Sequence, residues 1–142
     1  MTTRTEFFKK SDIALKSVPN LVDTVWGEER PARPVNPITV LDIQFSGVSS
    51  LDKQVKVAEK LKDVEFEALL VTTLDDICWI TNLRGTDIDY NPVFFANLLF
   101  FPKRGADETR TILFTDESKV ASIADYLTSQ KIEVRPYDKI TE

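Results

Sequence analysis

From residue 38 onward the chain alternates between two hydrophobic patterns, and this alternation is the strongest constraint on its fold. Short apolar runs of strand length are separated by segments whose apolar residues recur at helical spacing. Strands are predicted at 38–43, 68–72, 93–101, 109–115 and 131–137, and helices at 51–64, 74–82 and 117–129. Because the two types alternate along most of this length, we expect an α/β fold in which a mixed β-sheet is flanked by helices.

The first long helix and two of the strands allow finer predictions. Ser49 and Asp52 form a capping-box pattern at the start of the helix, and Lys53 lies outside its apolar stripe. The stripe consists of Leu51, Val55, Ala58 and Leu61. The run 68–72 is apolar throughout, as expected for a strand covered on both faces. The short polar connection between the two strands that follow 74–82 predicts an antiparallel hairpin.

The first 36 residues follow a different pattern. Residues 3–16 are compatible with a short helix, which carries Phe7, Phe8, Ala14 and Leu15. A second helical pattern follows Asn20, its expected cap, with apolar Leu21, Val22, Val25 and Trp26. Prolines at every third position then favour an extended linker without regular hydrogen bonds; they are Pro31, Pro34 and Pro37. We therefore predict a boundary at residues 36 and 37, and the part before the linker is too small to be a domain.

Composition excludes several classes of function. No histidine occurs, which excludes Ser-His-Asp and Cys-His catalysis and a His-ligated zinc site. Cys78 is the only cysteine, so no internal disulfide can form, and its apolar context predicts a buried thiol in a reducing compartment. The net charge of −5 and scattered basic residues lack the footprint that nucleic acid or an anionic membrane requires. Without a signal-peptide pattern or a membrane-length apolar run, we expect a cytoplasmic location.

The segment NLRGTDIDYNPVFF, residues 82–95, concentrates polar side chains between a helix and a strand. A calcium loop counted from Asp87 would need glycine and glutamate where Pro92 and Leu98 stand, so we expect no metal there. Arg84 either pairs with a local carboxylate or projects towards an anionic group on a ligand or neighbouring domain. Tyr90, Asn91 and Pro92 either prepare the chain for the strand or form a stiff binding edge. Cys78 and Trp79, just before this segment, are expected in the core.

The stretches NLVDTVWGEERPARP (20–34) and LDDICWITNLRGTDIDYNPVFF (74–95) together resemble the eukaryotic cytosolic-type Xaa-Pro aminopeptidases of the creatinase and aminopeptidase P superfamily. Asn20–Trp26 matches the family's Asn-Leu-(Val/Ile)-Asp-x-(Val/Ile)-Trp segment, and a Pro-rich connector follows it as in the family. Leu74–Asp87 matches the pattern Leu-Asp-(Glu/Asp)-Ile-x-Trp-(Leu/Ile)-x-Asn-Leu-Arg-Gly-x-Asp, and Asn91–Phe95 matches an Asn-Pro-Val-Phe-Phe run. With the segments between them, these matches cover about residues 18–142.

The resemblance implies a domain plan. Family members have two related non-catalytic α/β domains before a C-terminal pita-bread domain, which holds two divalent metals, typically manganese, and hydrolyses Xaa-Pro bonds. Against this plan, residues 1–36 are the tail of a preceding domain plus the linker, and residues 37–142 are a creatinase N-terminal-like domain. No segment of this chain matches the metal-ligand motifs of the catalytic domain. We therefore expect the chain alone to be no enzyme and to bind no cofactor.

The resemblance also implies a role for the polar loop. It places Arg84, Asp87, Tyr90 and Asn91 at the substrate-side wall or at the interface with the catalytic domain, near the active-site entrance. The partner that it implies is the pita-bread domain, with a contribution to subunit contacts, and a homodimer stays open. The sequence also leaves an alternative, in which a stand-alone truncated paralogue acts as a protein-interaction module without peptidase activity.

Overall fold

The computed structural model describes residues 16, 18–64, 66–102 and 109–141, and the chain divides into two compact units, 1–33 and 34–142. In the first unit, helix α1 (Leu21–Trp26) leads into a 3₁₀ turn (Gly27–Glu29). The predicted cap is confirmed, because Asn20 Oδ1 accepts a hydrogen bond from the Val22 amide at 3.1 Å. The predicted helix over 3–16 and most of the predicted hairpin loop lie outside the described residues.

The second unit contains six strands. They are β1 (Thr39–Val40), β2 (Leu69–Val71), β3 (Leu83–Arg84), β4 (Asn97–Phe101), β5 (Arg110–Thr115) and β6 (Ile132–Pro136). Four of them form a sheet in the order β2-β4-β5-β6, with two antiparallel pairings followed by one parallel pairing. β1 and β3 form a separate antiparallel pair. The predicted mixed sheet and the antiparallel pairing of the two strands after residue 92 are confirmed.

Helices flank this sheet, although the first of them contributes no buried residue. They are α2 (Ile43–Ser46), α3 (Ser50–Leu61), α4 (Leu74–Thr81) and α5 (Ala124–Ser129), together with 3₁₀ segments Glu117–Ile123 and Tyr137–Thr141. The capping box of α3 is confirmed: Ser49 Oγ accepts from the Asp52 amide at 3.1 Å and donates to its carboxylate at 2.7 Å. One core runs beneath α3, α4 and α5, and its fully buried members include Ile38, Ile77, Leu83, Phe94, Leu98, Phe100 and Leu113.

Two predicted strands are shorter in the structure. The first covers only Thr39–Val40, because Asp42 accepts from the Gln44 amide and caps α2. The strand predicted at 93–101 begins only at Asn97, although the preceding segment is largely buried. There, side chains replace a strand partner: the Phe95 amide donates to Asp87 Oδ2 at 2.7 Å, and its carbonyl accepts from Thr115 Oγ1 at 3.0 Å.

Three predictions about burial are wrong. β2 lies at the edge of the sheet, so Leu70 is 51% exposed, because an apolar run does not distinguish an edge strand from a central one. Trp79 is 49% exposed rather than in the core. In α3, Val55 is 46% exposed while Lys53 is buried, because the inward side of this helix makes hydrogen bonds that a hydrophobic stripe does not reveal.

Candidate functional site

The C-terminus of α4 begins the polar segment 82–95, and side chains satisfy its backbone there. The last four carbonyls of an α-helix have no partner within the helix. In α4 each of them accepts a hydrogen bond from a side chain of another part of the second unit. The pairs are Arg84 Nη1 to Cys78 (2.9 Å), Lys53 Nζ to Trp79 (2.9 Å), Ser50 Oγ to Ile80 (2.8 Å) and the Tyr126 hydroxyl to Thr81 (2.9 Å).

Arg84 therefore caps a helix. Its Nη1 also donates to the Leu83 carbonyl at 2.8 Å, and its charge lies at the negative end of the α4 dipole. Burial lowers the pKa of Lys53, and the charges of Arg84 and Lys56 lower it further. Of the two interpretations of Arg84 from sequence, no carboxylate partner is found within the described residues. Its Nη1 is bound to carbonyl oxygens, and the second interpretation, a guanidinium directed towards an anionic group, stays a prediction.

Asn82 completes the turn out of α4. It adopts the left-handed conformation, with φ of 53°, which asparagine tolerates better than most residues. Its Nδ2 donates to the Val48 carbonyl at 2.8 Å, and its Oδ1 accepts from Lys53 Nζ. Sequence reasoning missed Lys53, Asn82 and Tyr126. For Asn82 a signal was available, because an asparagine directly after the last apolar turn of a helix is typical of a left-handed helix end.

Asp87 lies beneath the loop rather than on its surface. Its side chain is 0% exposed and forms an ion pair with Lys119, whose side chain is 2% exposed. Asp87 Oδ2 accepts both from Lys119 Nζ and from the Phe95 amide, whereas Oδ1 is buried and has no hydrogen-bond partner among the described residues. Lys119 Nζ also lies 5.9 Å from the centre of the Phe94 ring. This carboxylate is therefore held by the protein and does not face solvent.

Residues 88–91 form a tight turn, which we call the Tyr90 turn. Ile88 and Asn91 form an isolated bridge, and the Asn91 amide donates to the Ile88 carbonyl at 3.1 Å. Tyr90 has a φ of 61° and a fully exposed side chain, and Asn91 is exposed as well. The turn borders an open depression of about 360 Å³ that is lined by Gly85, Thr86, Ile88, Asp89, Tyr90, Asn91 and Pro92.

Gly85 fixes the base of the loop against the core. A Cβ at this position would lie 2.6 Å from the Cβ of Phe94 and 3.2 Å from the Val93 carbonyl oxygen. The first distance is shorter than any ordinary carbon contact and involves an atom that cannot rotate away. The glycine is therefore required by close packing, and it lets the loop lie directly on the buried segment 93–96.

The predicted site residues thus divide into two pairs. Tyr90 and Asn91 are on the surface of the Tyr90 turn, while Asp87 is buried below it and Arg84 is directed to the end of α4. Whether any of them faces substrate stays a prediction.

The described residues offer little for chemistry. Among them there is no group of three or more His, Cys, Asp or Glu side chains that could hold a metal ion. Burial raises the pKa of the Cys78 thiol, which keeps it protonated and weakly nucleophilic. The side chains that could donate to a metal therefore do not fit a dinuclear metal centre.

Within the same described ranges, no helix has the length and apolarity needed to cross a membrane.

A family model and curated relatives match this chain. The Creatinase/Prolidase N-terminal domain model matches residues 29–142. The chain belongs to this family. It is 47% identical over 133 residues to a "Probable Xaa-Pro aminopeptidase P" of Coprinopsis cinerea, covering 93% of this chain and 20% of the relative. The corresponding protein of Laccaria bicolor is 44% identical, with 87% of this chain and 18% of the relative covered.

A solved structure agrees with this assignment. X-prolyl aminopeptidase from Caenorhabditis elegans, described as a cytosolic enzyme with a dinuclear active site, matches with a TM-score of 0.74 and 30% identity. The match covers 84% of this chain and 19% of that enzyme. The expected family resemblance and the creatinase N-terminal-like α/β fold are therefore confirmed. The chain spans about a fifth of the length of the relatives that it matches.

Proposed function

We propose that this chain is a non-catalytic accessory domain of an Xaa-Pro aminopeptidase, helping to shape the active-site entrance and contributing to subunit contacts. The observation that carries the proposal is the match of residues 29–142 to the N-terminal domain of this family, within relatives about five times longer. The absence of histidine from the sequence supports it, because the family's metal site uses one. The proposal keeps residues 1–36 as the tail of a preceding domain plus linker, and 37–142 as the accessory domain.

In this proposal the hydrolytic chemistry belongs to a partner domain. A pita-bread domain supplies two divalent metals, with manganese as the proposed ion, and such metals activate water for attack on the peptide bond. The accessory chain contributes no metal ligand, since its described residues hold no suitable cluster. Its contribution is the surface that it presents to the catalytic domain or to the substrate.

The Tyr90 turn is the proposed contact surface. Tyr90 is fully exposed in a backbone conformation that is uncommon for a bulky residue, and such outliers concentrate at functional sites. Exposed tyrosines are also enriched among residues that dominate interface energies. Asn91 adds hydrogen-bonding groups beside it. Arg84 and Asp87 act from within the domain, by fixing the end of α4 and the base of the loop.

The first test separates accessory function from catalysis. The purified chain is incubated with an Xaa-Pro peptide in the presence and absence of Mn²⁺, and released amino acid is measured. We expect no release above the blank without protein, because no residue set here can hold the metals. Manganese-dependent hydrolysis by the chain alone would contradict the proposal.

The second test concerns the partner. The C-terminal part of the Coprinopsis cinerea relative, beyond the region that this chain matches, is mixed with the chain, and binding is measured by calorimetry. We expect association that weakens about thirtyfold with Tyr90→Ala, the effect of losing one aromatic hot spot. Lys60→Ala, on the exposed surface of α3, is the matched control and should bind as the unmodified chain does.

One observation favours the alternative of a stand-alone interaction module. Ile43 and Val55 are exposed and both line a groove of about 440 Å³ between α2 and α3, and Phe45 is exposed on the same short helix as Ile43. Contiguous exposed apolar side chains are typical of protein contacts. The binding experiment distinguishes the two functions. Association that depends on Phe45 but not on Tyr90 would favour the module, whereas dependence on Tyr90 favours the accessory domain.

A further inference from the structure

The Asp87–Lys119 ion pair is almost completely buried. Both side chains are at most 2% exposed. Removing two charges from water offsets much of their attraction, and apolar residues of similar volume often serve folding equally well. The buried Oδ1 of Asp87 adds to this disadvantage, because it lacks a hydrogen-bond partner among the described residues. Stability alone therefore does not explain why an ion pair occupies this buried position.

The pair joins three segments at one point. Asp87 belongs to the loop that carries the Tyr90 turn, and its Oδ2 accepts from the Phe95 amide in the buried segment 93–96. Lys119 belongs to the 3₁₀ segment Glu117–Ile123. Its own backbone is fixed, since its amide donates to the Asp116 carbonyl at 3.1 Å and its carbonyl accepts from the Ile38 amide at 2.8 Å.

Such contacts fix position more narrowly than apolar packing does. A charge-assisted hydrogen bond depends on both distance and direction, whereas apolar contacts tolerate small displacements. The Tyr90 turn needs this constraint, because Tyr90 occupies a left-handed conformation that the free chain disfavours. Two backbone hydrogen bonds that close the loop also lie next to Asp87. The Asp87 amide donates to the Val93 carbonyl at 3.1 Å, and the Val93 amide donates to the Asn91 carbonyl at 2.8 Å.

We propose that Asp87 and Lys119 are positioning residues whose buried ion pair sets the location and order of the Tyr90 turn. Neither residue touches a partner itself. The consequence for partner binding rests on the proposed function, in which the Tyr90 turn contacts the catalytic domain. The positioning itself is a property of this chain alone.

The test replaces the pair with apolar residues of similar size. In the double variant Asp87→Leu/Lys119→Met, the charges and the acceptor for the Phe95 amide are both lost. The control Gln54→Leu/Thr111→Val removes another buried polar pair, joined at 2.7 Å between α3 and β5. Hydrogen exchange of single amides is measured by NMR on the 142-residue chain. The Leu113 amide in β5 reports global stability.

We expect the amides of Asp87, Asn91 and Val93 to exchange at least about tenfold faster in the Asp87→Leu/Lys119→Met variant, after correction for any change at Leu113. In the control, the same amides should change only in proportion to Leu113. A merely stabilising ion pair would make both variants behave alike, and that result would overturn the proposal. If the double variant does not fold, Asp87→Asn is measured in the same way and should show the same preferential loss.

Binding to the catalytic part of the Coprinopsis cinerea relative then separates this proposal from the proposed function. Faster exchange in the turn with weaker binding supports both. Faster exchange with unchanged binding supports the positioning role and contradicts the proposed contact surface. Unchanged exchange in the turn overturns the positioning role, whatever the binding shows.

Discussion

Arg84 stabilises the end of α4 through its charge and one hydrogen bond. Its guanidinium reaches back to the Cys78 carbonyl, so the last residue of β3 caps the preceding helix. At the neighbouring Gly85 no side chain fits, because the Phe94 side chain and the Val93 carbonyl lie too close. The consecutive residues of the segment Asn-Leu-Arg-Gly thus serve a left-handed exit, core packing, capping and close approach in turn.

Replacing Arg84 with methionine tests its capping role. We expect Arg84→Met to lower the free energy of unfolding by about 1.5–3 kcal/mol, since a hydrogen bond to a charged group is lost at a helix end. Urea denaturation followed by circular dichroism measures the change. Lys56→Met, on the exposed side of α3, is the control and should stay within about 0.5 kcal/mol of the original chain. Equal stabilities for the two variants would show that the cap is not important.

Replacing Gly85 with alanine tests the close approach. The added methyl group would overlap the Cβ of Phe94, so we expect Gly85→Ala to cost about 1–3 kcal/mol through forced displacement of the loop. Thr86→Ala, at the next and exposed position, should change stability by less than about 0.5 kcal/mol. Thermal unfolding of the three proteins measures both effects, and an unchanged melting temperature for Gly85→Ala would refute the packing argument.

At the scale of elements, the parallel pair β5 and β6 carries an exposed charge cluster. Glu133 accepts from Arg110 Nε and Nη2 across the pair and from Arg135 Nε on its own strand, at 2.7–3.1 Å. Hydrogen bonds from Arg110 and Arg135 lower the pKa of the Glu133 carboxyl. A carboxyl with a lowered folded-state pKa stabilises the fold above its unfolded value, near 4.5, and loses that contribution as the pH falls through the folded value.

The acid dependence of stability tests this cluster. At neutral pH we expect Glu133→Gln to lower the free energy of unfolding by about 0.5 kcal/mol, a small effect because all three side chains are partly exposed. The difference between variant and original chain should shrink as the pH falls below about 4.5. Urea denaturation at a series of pH values measures it. A difference that stays constant into acid would rule out the carboxylate charge as its cause.

Most of the element order was predictable from sequence because it depends on local patterns. The capping box at Ser49 and Asp52 needs only neighbouring residues, and the structure forms it as predicted. Burial of Lys53 could not be predicted, because its partners are the Trp79 carbonyl and Asn82, 26 and 29 residues away. The burial of Asp87 could not be predicted for the same reason, since its partner Lys119 lies 32 residues further along the chain.

For the molecule as a whole, the second unit is a folded scaffold in which the Tyr90 turn, the proposed contact surface, is fixed from beneath. Two hydrogen-bond networks hold the polar segment 82–95, one at the end of α4 and one around Asp87. The ion pair of the second network is buried and does not face solvent. An arrangement of this kind suits the positioning of a partner or substrate rather than the making and breaking of bonds. The proposed function therefore requires that the domain act only through the catalytic part of a longer enzyme.

A domain exchange tests whether the accessory domain acts through the catalytic part. Residues 29–142 replace the matched segment of the Coprinopsis cinerea relative, and kcat/KM for an Xaa-Pro peptide is measured with Mn²⁺. We predict a value within about tenfold of the unmodified relative, and a further loss of about tenfold on Tyr90→Ala, because misplacing a contact near the active site costs about that much or more. A folded, metal-loaded chimera without activity would show that the domain is not an accessory domain of such an enzyme, and a chimera unaffected by Tyr90→Ala would show that the Tyr90 turn is not its contact surface.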